Sequence, residues 1–224
     1  MNERADADVP RQAAHKSVRS VLRAVLPSFV IAIARDCQGL PAPMVVTYLR
    51  LRALRRLGLR SDRAKLRRRP RSLLFVCHGN VMRSPVAAEL VRARLGSASP
   101  LFAIASAGTW TANGRPADPR AVAAAAELGI SLDSHRSQLL TRQMVERSEL
   151  ICVMDFRNEA EVVARFPRAS RKTILLGGVE RFRVEGPSIV DPYALDPAAV
   201  SATYRRVSAA VDALVNRLRP TPDE

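Results

Sequence analysis

The residues best able to do chemistry lie in one stretch between Cys77 and Ser84, which reads Cys-His-Gly-Asn-Val-Met-Arg-Ser. An apolar run, residues 73–76, precedes it and has the composition of a strand inside a parallel sheet. Pro85 follows it and is typical of the first turn of a helix. The stretch is therefore predicted to be a loop from a strand to a helix. Such a loop binds anions, because the first N–H groups of the helix lack partners and the helix dipole adds positive charge.

Individual residues of this loop point to phosphate chemistry. Amide donors around Cys77 favour its thiolate, and sites of this kind lower a cysteine pKa to about 3.5–7.5. Arg83 presents a planar fork that can bind two phosphate oxygens at once, and Ser84 offers a hydroxyl to the cysteine sulfur. Gly79 permits close backbone approach, and Asn80 tolerates a left-handed conformation. The loop is thus suited to hold a phosphate beside a nucleophile.

Hydrolysis of a phosphate monoester through a cysteine also needs an acid for the leaving oxygen and a base for water. The loop itself has no carboxylate. Asp191, in the stiff run Asp-Pro-Tyr that ends at Tyr193, is the best candidate. From spacing alone, Asp-Pro pairs are common, and a turn or a helix N-cap is the more frequent role for such an aspartate.

The pattern Cys-x5-Arg-Ser, with Gly79-Asn80 inside it, resembles the phosphate-binding loop of protein tyrosine phosphatases. Its place before the first helix of the domain, and the Asp-Pro-Tyr run near the last helix, resemble the low-molecular-weight family. The resemblance covers about residues 72–218. It implies a protein phosphotyrosine phosphatase that uses a phosphocysteine intermediate and needs neither metal nor cofactor. It also implies that Cys77, Arg83 and Asp191 are the catalytic residues.

Further roles follow from the same resemblance. The residues that would contact the substrate are His78, Gly79, Asn80, Val81, Met82, Ser84, Trp110 and Tyr193. Those that would support the loop are Ser106 and His135, which would brace Asn80, and Asp155. Two roles are equally open for Asp155: it could orient Arg83 or cap a helix. There are two departures from the family pattern: Ala194 stands where a second aromatic residue is common, and Met82 stands where many members carry a second cysteine. A protective disulfide with Cys77 is therefore not expected.

Three other functions remain open. An arginine phosphatase of this scaffold has threonine at the position of Val81, and valine favours the tyrosine type. An arsenate reductase needs relay cysteines downstream, whereas Cys152 is the only later cysteine and lies in an apolar strand. The third alternative is a binding module that holds phosphate without turnover, and the intact set of three catalytic residues argues against it.

The remaining chain alternates between strand and helix patterns. Strands are predicted at 73–76, 101–105, 149–154 and 172–176, and helices at 86–95, 122–128, 158–166 and 197–218. Connections of this length between parallel strands are right-handed crossovers. The predicted fold is α/β, a four-stranded parallel sheet with helices on both faces, preceded by a helical extension.

The predicted domains are a basic, partly helical extension (1–70), the catalytic domain (71–219) and a tail (220–224). Residues 1–71 contain 17 Lys and Arg against 5 Asp and Glu, and thus most of the net charge of +15. Helices are predicted at 17–35 and 44–59, the apolar part being too short to span a membrane. Residues 50–71 could attach to an anionic membrane, bind a protein partner, or form a hairpin whose arginines are merely solvated. The scarcity of aromatic residues among the arginines argues against nucleic acid.

Three widely spaced cysteines indicate neither a disulfide framework nor a zinc cluster. A nucleophilic thiolate requires a reducing compartment, and the predicted location is the cytoplasm, with peripheral membrane association.

Overall fold

The computed structural model describes residues 28–180, 186–193 and 195–219. The strands are β1 (Ser72–Cys77), β2 (Ala103–Gly108), β3 (Leu150–Val153) and β4 (Thr173–Leu175). The α-helices are α1 (Ser28–Cys37), α2 (Ala42–Arg56), α3 (Arg83–Leu95), α4 (Pro119–Glu127), α5 (Arg142–Arg147), α6 (Phe156–Arg165) and α7 (Pro197–Leu218). The part of the predicted first helix before residue 28 lies outside the described residues.

The four strands form one parallel sheet in the order β2-β1-β3-β4, which confirms the predicted fold class. Alternate strand side chains enter two separate cores. On one face, Leu73 and Phe75 pack with α3, α4 and α7. On the other face, Leu74 and Val76 pack with α5 and α6. Because both faces are covered, the central strands can be apolar throughout, as the sequence pattern indicated.

The second strand is shifted from its predicted position, which was residues 101–105. Its first apolar residue, Leu101, ends a 3-10 turn (Gly96–Leu101) that contains Pro100, which has no N–H to give to a strand neighbour. The strand instead continues through Ser106 to Gly108, small residues that pair with β1. The sequence reading missed them because Ser, Ala and Gly have weak strand preference, whereas pairing with a central strand decides the matter here.

Residues 41–66 pack against the side of the sheet on which β4 is the edge strand. The predicted helix at 44–59 is α2, which ends at Arg56 and is followed by Gly58 with a φ of 72°. This helix packs on α6, and a 3-10 turn (Arg63–Arg68) leads to β1. The predicted domain boundary near residue 70 stays a prediction.

Candidate active site

The loop between β1 and α3 lies at the carboxyl edge of the sheet, where clefts of parallel sheets form. It closes within five residues, since β1 ends at Cys77 and α3 begins at Arg83. Asn80 has a φ of 50°, a left-handed conformation that an asparagine tolerates better than most residues. The predicted strand-loop-helix arrangement is therefore observed.

The sulfur of Cys77 is buried and is surrounded by polar groups. The Asn80 backbone N–H donates to Sγ at 3.2 Å, and the hydroxyl of Ser84 lies 3.0 Å from it. The Asn80 side-chain amide donates to the same hydroxyl at 2.9 Å, and that hydroxyl can in turn donate to the Ala107 carbonyl at 3.4 Å or to Sγ. The sulfur therefore lies among hydrogen-bonding groups at the start of the loop.

Asn80 is held by contacts from three other segments. Its Nδ2 donates to the hydroxyl of Ser106 at 2.9 Å, and its Oδ1 accepts from the Gln138 N–H at 2.8 Å. Nε2 of His135 lies 2.7 Å from the Asn80 carbonyl oxygen, which can only accept, so this ring nitrogen carries the proton. The structure thus places Ser106 and His135 where the resemblance implied, around Asn80.

Arg83 is almost entirely buried, with 1% of its side chain exposed, and it contacts two carboxylates. Its Nη1 donates to Asp155 at 2.6 Å and to the Ile189 carbonyl at 3.0 Å, and its Nη2 donates to Asp191 at 2.5 Å. Burial alone would lower the pKa of Arg83, but the charges of Asp155 and Asp191 outweigh it and raise the pKa above its ordinary value. Arg83 is therefore a permanent cation.

The Nε of Arg83 is buried and has no hydrogen-bond partner among the described residues. A buried donor without a partner is costly, and an oxyanion in the loop would satisfy it. The start of α3 adds further N–H groups that have no partner within the helix. The loop is accordingly arranged for an oxyanion beside the sulfur.

Asp191 is brought to the loop by the segment 186–193. Its side chain is 44% exposed and accepts both from Arg83 and, through Oδ1, from the Tyr193 N–H at 3.2 Å. Next to Asp191 in the chain, Ile189 N donates to the Met154 carbonyl at 2.8 Å, which fastens the segment to the end of β3. Gly177 permits the approach, because a Cβ there would lie 2.8 Å from the Pro187 carbonyl oxygen.

Aromatic residues flank the mouth of the loop. Trp110 is 75% exposed, and its ring stacks on that of His78 with 6.0 Å between centroids. Tyr193 is also exposed and lies under the guanidinium of Arg120 at 5.8 Å.

A buried carboxylate, Glu161, lies behind His78. Glu161 accepts from the Thr109 hydroxyl, and its Oε1 lies 3.8 Å from Nδ1 of His78. Burial acts to raise the pKa of Glu161, but His78 and Thr109 outweigh it and lower the pKa.

The structure thus gathers Cys77, Arg83, Asp191 and Asp155 into one cluster. Asp155 also accepts from the Asn158 N–H at 2.7 Å, so it caps α6 as well as orienting Arg83. Of the other predicted site residues, Ser84 contacts the sulfur, and His78, Gly79, Val81 and Met82 lie in the loop between β1 and α3. Trp110 and Tyr193 are exposed.

Sequence reasoning missed Gln138, Ile189, Glu161 and Gly177. Gln138 and Ile189 contribute backbone atoms, which every residue type has, so the sequence cannot reveal them. Within the described ranges, no cluster of three or more His, Cys, Asp or Glu side chains could hold a metal ion.

A buried cysteine in a helix-capping loop, opposite an aspartate and beside an arginine, characterises enzymes that transfer a phosphoryl group to sulfur. Comparison with known proteins narrows this class. A family model described as low molecular weight phosphotyrosine protein phosphatase matches residues 72–222. The chain therefore belongs to that family.

Similar proteins and solved structures support the same family assignment. EpsP of Ralstonia nicotianae, a probable low molecular weight protein-tyrosine-phosphatase, is 38% identical over 149 residues, which cover 66% of this chain and 97% of EpsP. The crystal structure of the tyrosine phosphatase AmsI of Erwinia amylovora is 36% identical with a TM-score of 0.61, covering 67% of this chain and 95% of AmsI. The YwlE arginine phosphatase of Geobacillus stearothermophilus is 30% identical with a TM-score of 0.60, covering 66% of this chain and 93% of YwlE.

Proposed function

We propose that this protein hydrolyses phosphotyrosine in proteins through a phosphocysteine intermediate. The observation that carries the proposal is the double pairing of Arg83 with Asp155 and Asp191 next to the sulfur of Cys77. Asp155 holds the guanidinium in place, and Asp191 is the acid that the reaction requires.

In the first step the thiolate of Cys77 attacks phosphorus. An S–P bond forms, the P–O bond to the phenol breaks, and protonated Asp191 gives its proton to the departing oxygen. The phosphate oxygens are stabilised by loop N–H groups and by Arg83, whose Nε has no other acceptor among the described residues. The bound phosphate competes with Asp191 for Nη2 of Arg83 and so frees the carboxyl group to reach the leaving oxygen.

In the second step water hydrolyses the phosphocysteine. Asp191, now ionised, takes a proton from the water, whose oxygen attacks phosphorus as the S–P bond breaks. Inorganic phosphate leaves, and Cys77 returns as a thiolate that accepts from Asn80 N and Ser84. No external reductant or metal enters this scheme.

The residues at the mouth of the loop favour an aromatic phosphate ester as the substrate. Exposed Trp110 and Tyr193 can flank a phenyl ring, and Val81, which is buried in the loop, is not the threonine of arginine phosphatases. The similarity to YwlE keeps phosphoarginine as the second candidate. A higher kcat/KM for phosphotyrosine than for phosphoarginine peptides is expected, and the reverse order would favour the second candidate.

The proposal also includes a location in the cytoplasm, with peripheral attachment to an anionic membrane through residues 50–71. None of the described helices is long and apolar enough to cross a bilayer. Exposed Leu57 and Leu59 next to Arg56 support contact with a lipid surface, since apolar side chains flanked by cations suit the bilayer interface.

The experiment that tests the function is replacement of the nucleophile. Cys77→Ser is expected to abolish release of p-nitrophenol from p-nitrophenyl phosphate, because a serine hydroxyl at this site is not ionised. Cys152→Ala is the matched control and should keep activity, since Cys152 is buried in β3 and burial raises the pKa of its thiol. Turnover in Cys77→Ser equal to that of the wild type would contradict the proposal.

A further inference from the structure

The segment of residues 41–66 lies outside the part of the chain that resembles the family, yet it makes dense contacts with that part. The family model begins at residue 72, and the match to EpsP accounts for 97% of that relative. The segment nevertheless contributes buried cations and a buried carboxylate, Asp62, to the sheet and to α6. We call residues 41–66 the flanking segment.

The flanking segment covers the edge of the sheet at β4. The Leu175 N–H donates to Asp62 at 3.2 Å, and the Thr173 carbonyl accepts from Arg60 at 3.1 Å and from Lys65 at 2.6 Å. These side chains replace the fifth strand that an open edge would otherwise attract. Gly178 makes room for them, because a Cβ there would lie 2.0 Å from Oδ2 of Asp62.

Glu159 of α6 is completely buried, and its charge is balanced by the flanking segment. Arg55 donates to both carboxylate oxygens of Glu159, at 2.8 and 3.1 Å, and Arg60 donates at 2.8 Å. Arg55, 11% exposed, also donates twice to Asp62, at 2.6 and 2.8 Å. Removing a partner from such a buried pair leaves an uncompensated charge, so the position of α6 depends on Arg55.

The same helix begins at the residue that orients Arg83. Asp155 caps α6, and the Glu159 N–H donates to its carbonyl at 3.0 Å. Phe156, next to Asp155, packs edge-to-face against buried Tyr48 at 6.4 Å and lies under Arg52 at 4.3 Å. The flanking segment therefore contacts the first turn of α6 at Phe156 and Glu159, directly after the Asp155 cap.

We infer that the flanking segment is a positioning element of the active site. By fixing the first turn of α6, it holds Asp155 against Nη1 of Arg83, and so keeps the guanidinium ready for the phosphate. This inference rests on the proposed function. It makes residue 41, rather than residue 71, the start of the competent catalytic unit.

The test compares phosphate binding by variants of the full-length protein. Trp110 is the only tryptophan and stacks on His78 of the loop, so its fluorescence can report the Kd of inorganic phosphate without turnover. Arg55→Met is expected to weaken phosphate about tenfold and to lower kcat for p-nitrophenyl phosphate by a similar factor. Arg50→Met, a change of the same kind at an exposed position of α2, should leave both values unchanged.

A second variant keeps the test valid if Arg55→Met is too unstable to fold. Arg52→Met removes the guanidinium that lies over Phe156 and donates to the Tyr48 hydroxyl at 3.3 Å, and we expect phosphate to bind about two- to threefold more weakly. All variants are compared at a temperature where circular dichroism shows each of them folded. A wild-type Kd and kcat in folded Arg55→Met and Arg52→Met, even with lower melting temperatures, would overturn the inference. Because binding is measured without turnover, this comparison holds even if the wild type fails to hydrolyse the ester.

Discussion

At the scale of single residues, the loop depends most on Asn80. This residue adopts a left-handed backbone conformation and joins Ser84, Ser106 and the Gln138 N–H through its side chain. It also supplies one of the amide donors to the sulfur of Cys77. Asn80 therefore both shapes the loop and contacts the sulfur of the proposed nucleophile.

Asn80→Ala is expected to lower kcat at least tenfold and to reduce the free energy of unfolding by about 1–3 kcal/mol. The alanine cannot make the three side-chain hydrogen bonds and disfavours the positive φ. Steady-state kinetics and urea unfolding would measure the two effects. Asn113→Ala is the control, because Asn113 accepts from the Leu139 N–H at 2.7 Å on the same side of the molecule. An equal effect on kcat in both variants would contradict the role of Asn80.

The sequence predicts Cys77, Arg83 and Asp191 as catalytic residues because a nucleophile, a planar cation and an acid are each supplied by few side chains. The structure brings Asp191 into contact with Arg83 in the loop that begins at Cys77, and the catalytic roles stay a prediction. Ile189 and Gln138 could not be recognised, since they contribute a carbonyl and an N–H that any residue possesses. Arg120, which contacts Tyr193, was missed because charged surface residues are common.

At the scale of elements, the strands and helices of the catalytic part could be predicted from alternating apolar runs and caps. Asp118 and Thr141, residue types that favour helix N-caps, cap α4 and α5. No comparable pattern indicates the contacts of the flanking segment, because Arg55 and its partner Glu159 are 104 positions apart. The expectation that these arginines are merely solvated is wrong for Arg55 and Arg60, whose side chains are buried in ion pairs.

Lys65 of the flanking segment makes stability depend on pH. Burial, together with the nearby charge of Arg60, lowers the pKa of Lys65 to about 8. Between about pH 8 and the ordinary lysine pKa, the unfolded chain binds a proton at Lys65 that the folded chain has lost. The free energy of unfolding should therefore rise with pH across this window, by on the order of 1–3 kcal/mol.

Urea unfolding of the wild type and of Lys65→Met at several pH values would measure this effect. As the pH increases from about 8, the free energy of unfolding of the wild type should rise relative to that of Lys65→Met. Parallel pH dependence in the two proteins would show that Lys65 stays charged in the folded state.

At the scale of the whole molecule, the basic charge divides into two parts. Some cations of the flanking segment are used internally, in contacts with Glu159, Asp62 and the edge of the sheet. Two other cations, Arg50 of this segment and Arg71 just after it, lie on the surface and remain available to an anionic partner. Composition alone could not separate the internally paired cations from the exposed ones, because the pairing depends on which carboxylates the fold places beside each cation.

Vesicle sedimentation tests the proposed membrane contact. Full-length protein should bind phosphatidylcholine vesicles that contain phosphatidylserine, and added salt should weaken this binding because the attraction is screened. Replacing exposed Leu57 and Leu59 with serine should reduce binding and leave phosphatase activity unchanged. Equal affinity for purely zwitterionic vesicles, or no binding, would contradict attachment to an anionic surface.

The most direct test of the central claim is to trap the phosphate on the nucleophile. Asp191→Ala should slow turnover about 10²–10⁴-fold, because both the acid and the base are lost. During reaction with p-nitrophenyl phosphate, rapid quenching and peptide mass spectrometry should find phosphate on the peptide that contains Cys77. Turnover without a labelled peptide, or phosphate on a residue other than Cys77, would contradict the account.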